Sequence, residues 1–267
     1  MTTYPDKPLR PPLLVTISVW QALFLREANT RLSSGRGSTV WLLGEPILHT
    51  VIMLLLFTFL RVKVVGGIDV LAWLIIGLTF FKVFKNPGTQ GQNAISANKV
   101  LFTYRQVKPV DTVLVRVFLE GFLVLLVILI IAGAAIGLFN VALWPDDMGM
   151  VVLAFFGLWL MGLGYALITS VAIDLVPELG KIFNIMMTPL YMGSGAIIPL
   201  SGISEPYRSW LMYNPMAHGL EVARAGVSSS YHVILGTNIA YLYECALVAI
   251  FFGLALHLRF QTKLLTQ

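Results

Sequence analysis

Hydrophobic positions in this chain come in long runs, with neither the alternation of strands nor the one-sided stripe of soluble helices. Residues 40–60, 117–144, 148–173, 182–204 and 233–256 are nearly free of charge. A bilayer crossing needs about 20 apolar residues, since each helical residue adds about 1.5 Å against a hydrocarbon core roughly 30 Å thick. All five runs meet that length. A sixth, VLAWLIIGLTFF at 70–81, gives half a span and then meets Lys82 and Lys85 before Pro87 and Gly88. The NPGTQGQNAISAN that follows carries no charge until Lys99. It can continue the helix after a break at Pro87 where it faces protein or water.

Two further stretches are apolar on one side or in part. In LLVTISVWQALFLREANTRLS, Ile17, Trp20, Phe24 and Ala28 share one helical face and Arg26, Asn29, Thr30 and Ser33 the opposite one, with Arg31 intruding on the apolar side. That pattern predicts a helix lying in the headgroup layer rather than a signal peptide. Residues 205–232 hold an uncharged patch, Ser209 to Leu220, too short to cross and broken at Asn214 and Pro215; a re-entrant exterior hairpin is expected there. The fold class expected is an all-α membrane protein with six transmembrane helices, the N-terminal amphipathic interfacial helix and this hairpin before the last span. As a single domain, 1–267 divides into a tail and interfacial helix (1–37), spans one to five (38–204), the hairpin (205–232), and span six with a tail (233–267).

Composition agrees with that solvent: 57% of the 267 residues are hydrophobic and 12% charged, against roughly a quarter charged in soluble domains. Positive residues accumulate in short cytoplasmic loops. With both termini cytoplasmic, fourteen of the eighteen lysines and arginines fall inside; Arg61, Lys63, Arg208 and Arg224 fall outside. Catalytic signals are missing. The chain has no GxxxxGK[ST] phosphate loop, no HExxH, no zinc spacing and no GxSxG elbow, and His49, His218, His232 and His257 are scattered. No metal, no cofactor and no nucleic-acid partner is expected, and Cys245, the one cysteine, excludes an internal disulfide. Glu45, Asp174 and Glu244 are the acids a membrane-embedded enzyme acting on lipid-linked sugar would use, but they lie on separate spans with no partner motif.

Four motifs carry a resemblance: FLREANTR in the first helix, WLLGEP opening span one, LFTYRQVKPVDT after span two, and YNPMAHGLEVARAGV before the last span. In this order the chain resembles the permease subunit of type-2 ABC exporters, and within them the inner-membrane permeases of capsular polysaccharide export, the KpsM type. The resemblance covers nearly the whole chain. It implies a homodimer in the bacterial inner membrane, bound to two copies of a separate ATPase that holds the ATP and Mg. The cargo implied is a lipid-linked polysaccharide, passed on to periplasmic and outer-membrane export proteins. Another lipid-linked glycan, teichoic acid, lipid or drug is the alternative cargo.

The resemblance also implies roles. The segment between spans two and three would dock into the ATPase through Leu101, Phe102, Tyr104, Arg105, Lys108 and Pro109, with Pro177 and Glu178 as a second contact. Glu45 and Pro46 fall where the family begins span one. Arg26 and Arg31 would meet the anionic lipid carrier. Trp41, Trp73, Trp159, Tyr165 and Tyr191 offer rings to sugar along the path, and Trp210, Tyr213, Asn214 and Pro215 form an exterior gate. Lys82 and Lys85 depart from the family, which carries uncharged residues there. They lie about 60° apart on one helical face and are expected to line the path and attract acidic cargo.

Overall fold

A computed structural model describes residues 12–33, 38–104 and 106–266. Its elements are almost all helical: α1 (Pro12–Ser33), α2 (Ser38–Phe59), α3 (Val70–Gly91), α4 (Ala94–Ala97), α5 (Pro109–Phe139), α6 (Met148–Leu175), α7 (Leu179–Met192), α8 (Tyr207–Leu211), α9 (Pro215–Val227), α10 (Ile239–Arg259) and α11 (Gln261–Thr266). Between α2 and α3 a two-residue antiparallel hairpin, β1 (Val64–Val65) and β2 (Ile68–Asp69), turns on Gly66 and Gly67, both with positive φ. Side chains with substituents avoid that backbone region, so the glycine pair sets the turn.

Among the described residues four helices are long and apolar enough to cross a membrane: α3, α5, α6 and α10. The expected half-span at 70–81 is a full helix of 22 residues running through Pro87 without a break. It is also the most enclosed of the four, with 83% of its apolar window buried. Neighbouring helices rather than lipid surround it, which is why lysines and a proline are tolerated along it. Asp69 caps its start by accepting a hydrogen bond from the Leu71 amide.

The run 182–204 is not one helix. α7 ends at Met192, and the chain then turns through Gly193 and Gly195, the latter at φ +78, before a 3₁₀ turn at Leu200–Gly202. α5 starts earlier than the apolar run at 117. Pro109 occupies its first turn, and the Asp111 carboxylate accepts from the Lys108 amide at 3.1 Å. Its charged residues Arg116 and Glu120 are absorbed by ion pairs with α1, so polarity did not delay the helix.

α3 packs against α5, α6 and α9, and α6 lies along α10. That last pair approaches closely at small residues: a Cβ on Gly164 would stand 2.6 Å from Ala249, and one on Gly253 2.5 Å from Leu167. Close backbone approach at small residues is how helices associate where lipid offers no hydrophobic drive. The main core joins Trp73, Phe80, Phe81 and Phe84 of α3 to Leu158, Leu220 and Leu242. A second cluster, with Ile95, Val113, Val117, Leu167 and Leu264, lies under the segment that follows α4.

Candidate functional site

Of the two charges that sequence placed along α3, Lys82 meets an ion-pair partner there. Lys82 donates to Glu45 of α2 at 3.1 Å. The two side chains border a cavity of about 200 Å³ with Lys85, His49, Thr89, Asn184, Thr188 and Tyr191. α2, α3 and α7 therefore each contribute polar groups to one place among apolar helices. Lys82 and Lys85 do share a face of α3, and among the described residues no carboxylate lies within ion-pair distance of Lys85. The cavity thus holds two ammonium groups against one carboxylate. Tyr191 closes one wall, its ring 4.7 Å from that of Phe81 and its hydroxyl 3.4 Å from His49 Nε2. A lysine at the centre of a span costs about 2.5–3.5 kcal/mol, and the pair with Glu45 offsets that for Lys82.

The remaining aromatic candidates divide. Trp73 is buried with the Arg224 guanidinium 4.0 Å above its ring. Trp159 donates from Nε1 to the Val117 carbonyl at 3.2 Å and borders, with Ile17, Phe24 and Phe118, an apolar cavity between α1, α5 and α6. Tyr165 packs edge-on to Phe84 and reaches the Phe183 carbonyl at 3.3 Å. The Trp41 side chain and Arg105 lie outside the described residues.

Arg26 and Arg31 are engaged in the protein. Arg31 pairs with the buried Glu120 of α5 at 2.9 Å, and Arg26 with Glu27 at 3.1 Å and with Asn98. Arg116 approaches Glu27 at 3.6 Å, and Trp20 donates to Asp111 at 3.0 Å. The intrusion of Arg31 on the apolar side of α1 is thereby explained. Leu23 and Glu27 form the buried strip of α1, and Arg31 continues it one turn later.

The segment 99–112 begins with a 3₁₀ turn, Lys99–Thr103. Lys99 forms an ion pair with the buried Asp174 at the end of α6, 3.1 Å away. That pair brings the segment beside the Pro177–Glu178 turn, so the two regions singled out for ATPase contact lie at one end of the molecule. Phe102 turns inward onto the cluster of Ile95 and Leu264, whereas Val100 and Tyr104 project, 84% and 66% exposed. Val100 is an apolar projection that sequence reasoning passed over.

At the other end, α8 and α9 are separated by a break at Asn214 and Pro215. Asn214 caps α9 by accepting from the Met216 amide and donates to the Leu190 carbonyl. Trp210 and Tyr213 are exposed, with the Tyr207 and Trp210 rings 5.5 Å apart. The buried side of α9 carries what sequence reasoning missed. Glu221 and Arg224 pair at 3.2 Å, fully enclosed; Arg224 also donates to the Gly195 carbonyl at 2.8 Å, and Tyr231 donates to Glu221 at 2.9 Å. The i, i+3 spacing of Glu221 and Arg224 was the available signal.

The profile of the family described as ABC-2 type transporter matches residues 18–227. The chain is 33% identical over 253 residues to the polysialic acid transport protein KpsM of Escherichia coli, covering 92% of this chain and 95% of the relative. It is 30% identical over 251 residues to the capsule polysaccharide export inner-membrane protein CtrC of Neisseria meningitidis, covering 93% of each. With the protein BexB of Haemophilus influenzae, which carries the same description, it shares 27% identity over 263 residues and 95% of each chain. A profile spanning most of the chain, laid over three of its four long apolar helices, α3, α5 and α6, places this protein in the ABC-2 type transporter family, as a membrane transport permease.

Proposed function

We propose that this chain is the permease subunit of an ATP-driven exporter that carries a lipid-linked, acidic capsular polysaccharide out across the bacterial inner membrane. In this reading the subunit is one domain with six crossings, formed by α2, α3, α5, α6, α7 with its following turn, and α10, and both termini are cytoplasmic. Two copies form the path, and two ATPase subunits, which hold the ATP and Mg, dock at the 101–112 segment and at Pro177 and Glu178. Residues 205–232 re-enter the bilayer as the gate on the outer face, from which periplasmic and outer-membrane proteins receive the chain.

The observation that carries the reading is the cavity between α2, α3 and α7, with two lysines facing one glutamate amid apolar helices. Excess positive charge inside a membrane domain is costly unless it serves an anion. The E. coli relative is named for polysialic acid, a polymer with a carboxylate on every residue, which suits such a lining. Replacing Lys82 and Lys85 together with glutamine in the producing bacterium should leave the subunit in the membrane with its ATPase and reduce surface polysaccharide at least tenfold. Normal surface polysaccharide in that double variant would remove the lysines from the path.

A further inference from the structure

Glu45 and Lys82 form an uneven pair. The lysine is the enclosed partner, its side chain 11% exposed, whereas that of Glu45 is 59% exposed. Lys82 belongs to the helix most deeply held by the rest of the protein. Glu45 belongs to α2, whose Ile47, Leu48, Val51, Ile52 and Leu55 are uncovered by this chain. One charge is therefore fixed in the core, and the other sits in the first half of a helix that is held to that core further along, at Met53, Leu54 and Phe57. Lys85 adds a second positive charge within the same lining.

We propose that Glu45 is a resident counter-ion that acidic cargo must displace from Lys82, so that this pair decides which chains may occupy the cavity. The inference rests on the cavity's being part of the export path. A carboxylated sugar exchanges one ion pair for another: Lys85 attracts it, its carboxylate takes over Lys82, and the Glu45 side chain, already more than half open to its surroundings, turns away from the cavity. A neutral sugar has no charge to offer. It either leaves the Glu45–Lys82 pair in place across the cavity or strips Lys82 of its partner, and an uncompensated ammonium among apolar helices is strongly disfavoured. Thr89, Asn184, Thr188 and Tyr191 line the same space with hydroxyl and amide groups, which suit sugar hydroxyls once the carboxylate is seated. Selection thus arises from a repulsive cost against the wrong cargo as well as attraction to the right one.

The test uses the full chain in lipid nanodiscs, titrated with sialic acid oligomers and with neutral malto-oligosaccharides of equal length. Variants are Glu45→Gln, Glu45→Asp, Lys82→Gln and the exchange pair Glu45→Lys with Lys82→Glu. Glu45→Gln frees Lys82 and should bind the sialic acid oligomers about tenfold more tightly, with a steeper loss of affinity in salt; Glu45→Asp, a weaker pair, should lie between it and the unaltered chain. Lys82→Gln should bind at least tenfold less tightly. The exchange pair keeps opposite charges facing each other, so a merely structural bridge would be restored by it; here affinity should stay as low as in Lys82→Gln. Unaltered affinity in both Glu45 variants, or full recovery in the exchange pair, overturns the counter-ion role while a loss in Lys82→Gln leaves the cavity on the path. Full affinity in Lys82→Gln overturns both.

Discussion

Single residues explain themselves here by the partner they find. Glu120, Asp174, Glu221 and Lys82 would each be expensive in hydrocarbon, and each meets an opposite charge from another turn or another helix. The Glu221–Arg224 pair is the most enclosed, and it ties α9 to the Gly195 turn and, through the Arg224 guanidinium over Trp73, to α3. A Cβ on Gly77 would fall 2.5 Å from that guanidinium, so the glycine leaves it room. Removing one member of such a pair strands the other. Glu221→Ala should cost about 3–5 kcal/mol and lower the unfolding midpoint of the purified protein by roughly ten degrees. Glu221→Gln, which keeps an acceptor for Tyr231, should cost less. Equal midpoints for Glu221→Ala and the unaltered protein would mean that the network does not support the fold.

At the scale of elements, the joint between α3 and α5 gathers more than its own sequence announces. Asn98 meets Arg26 of α1, Asp111 meets Trp20 of α1, Lys99 meets Asp174 of α6, and Leu264 of α11 lies beneath Phe102. A segment braced on so many sides moves with the helices it joins, which is what transmitting a push requires. Its projecting side chains, Val100 and Tyr104, are free of that bracing. Val100→Asp with Tyr104→Ala should leave membrane insertion and thermal stability within about 0.5 kcal/mol, as surface substitutions do. ATP hydrolysis by the assembled exporter should then no longer respond to cargo, and export should fall. Unimpaired export at normal subunit levels would take the segment out of coupling. The segment's position was legible from its charge and Pro109. Its inward and outward faces were not, because a 3₁₀ turn of five residues carries no long period to read.

Across the whole molecule, the two ends differ in kind. At the end with α4 and the Pro177–Glu178 turn, ion pairs join different helices, Lys99 to Asp174 and Arg116 to Glu27, whereas at the end with α8 the pairs are local, Arg208 with Glu205 and Arg224 with Glu221, and Tyr207, Trp210 and Tyr213 are exposed. We expect the first to be the driven end and the second the gate. Single cysteines at Trp210 and Tyr213, with Cys245→Ser, should change several-fold in labelling by a membrane-impermeant maleimide when ATP is added to the assembled exporter. The same labelling with and without ATP would identify a static surface.

The sequence by itself determined the solvent, the helical class, the family and the places where charge interrupts the oil, since run length, the glycine and proline punctuation, and the four motifs are all local properties of the chain. It also marked Lys82 and Lys85 as anomalous and located the break at Asn214 and Pro215. Tertiary structure alone decided what those charges face. Span two looked half-length because hydropathy scores a helix as though lipid surrounded it, while α3 is surrounded by protein and continues to Gly91. Likewise Arg31 marred an apolar face until Glu120 stood opposite it, and Glu45 became the partner of Lys82 only when α2 was laid against α3. Ion pairs between residues dozens of positions apart leave no periodic trace in a single sequence. They exist because packing brings two desolvated charges to one place, where each is tolerable only in the presence of the other.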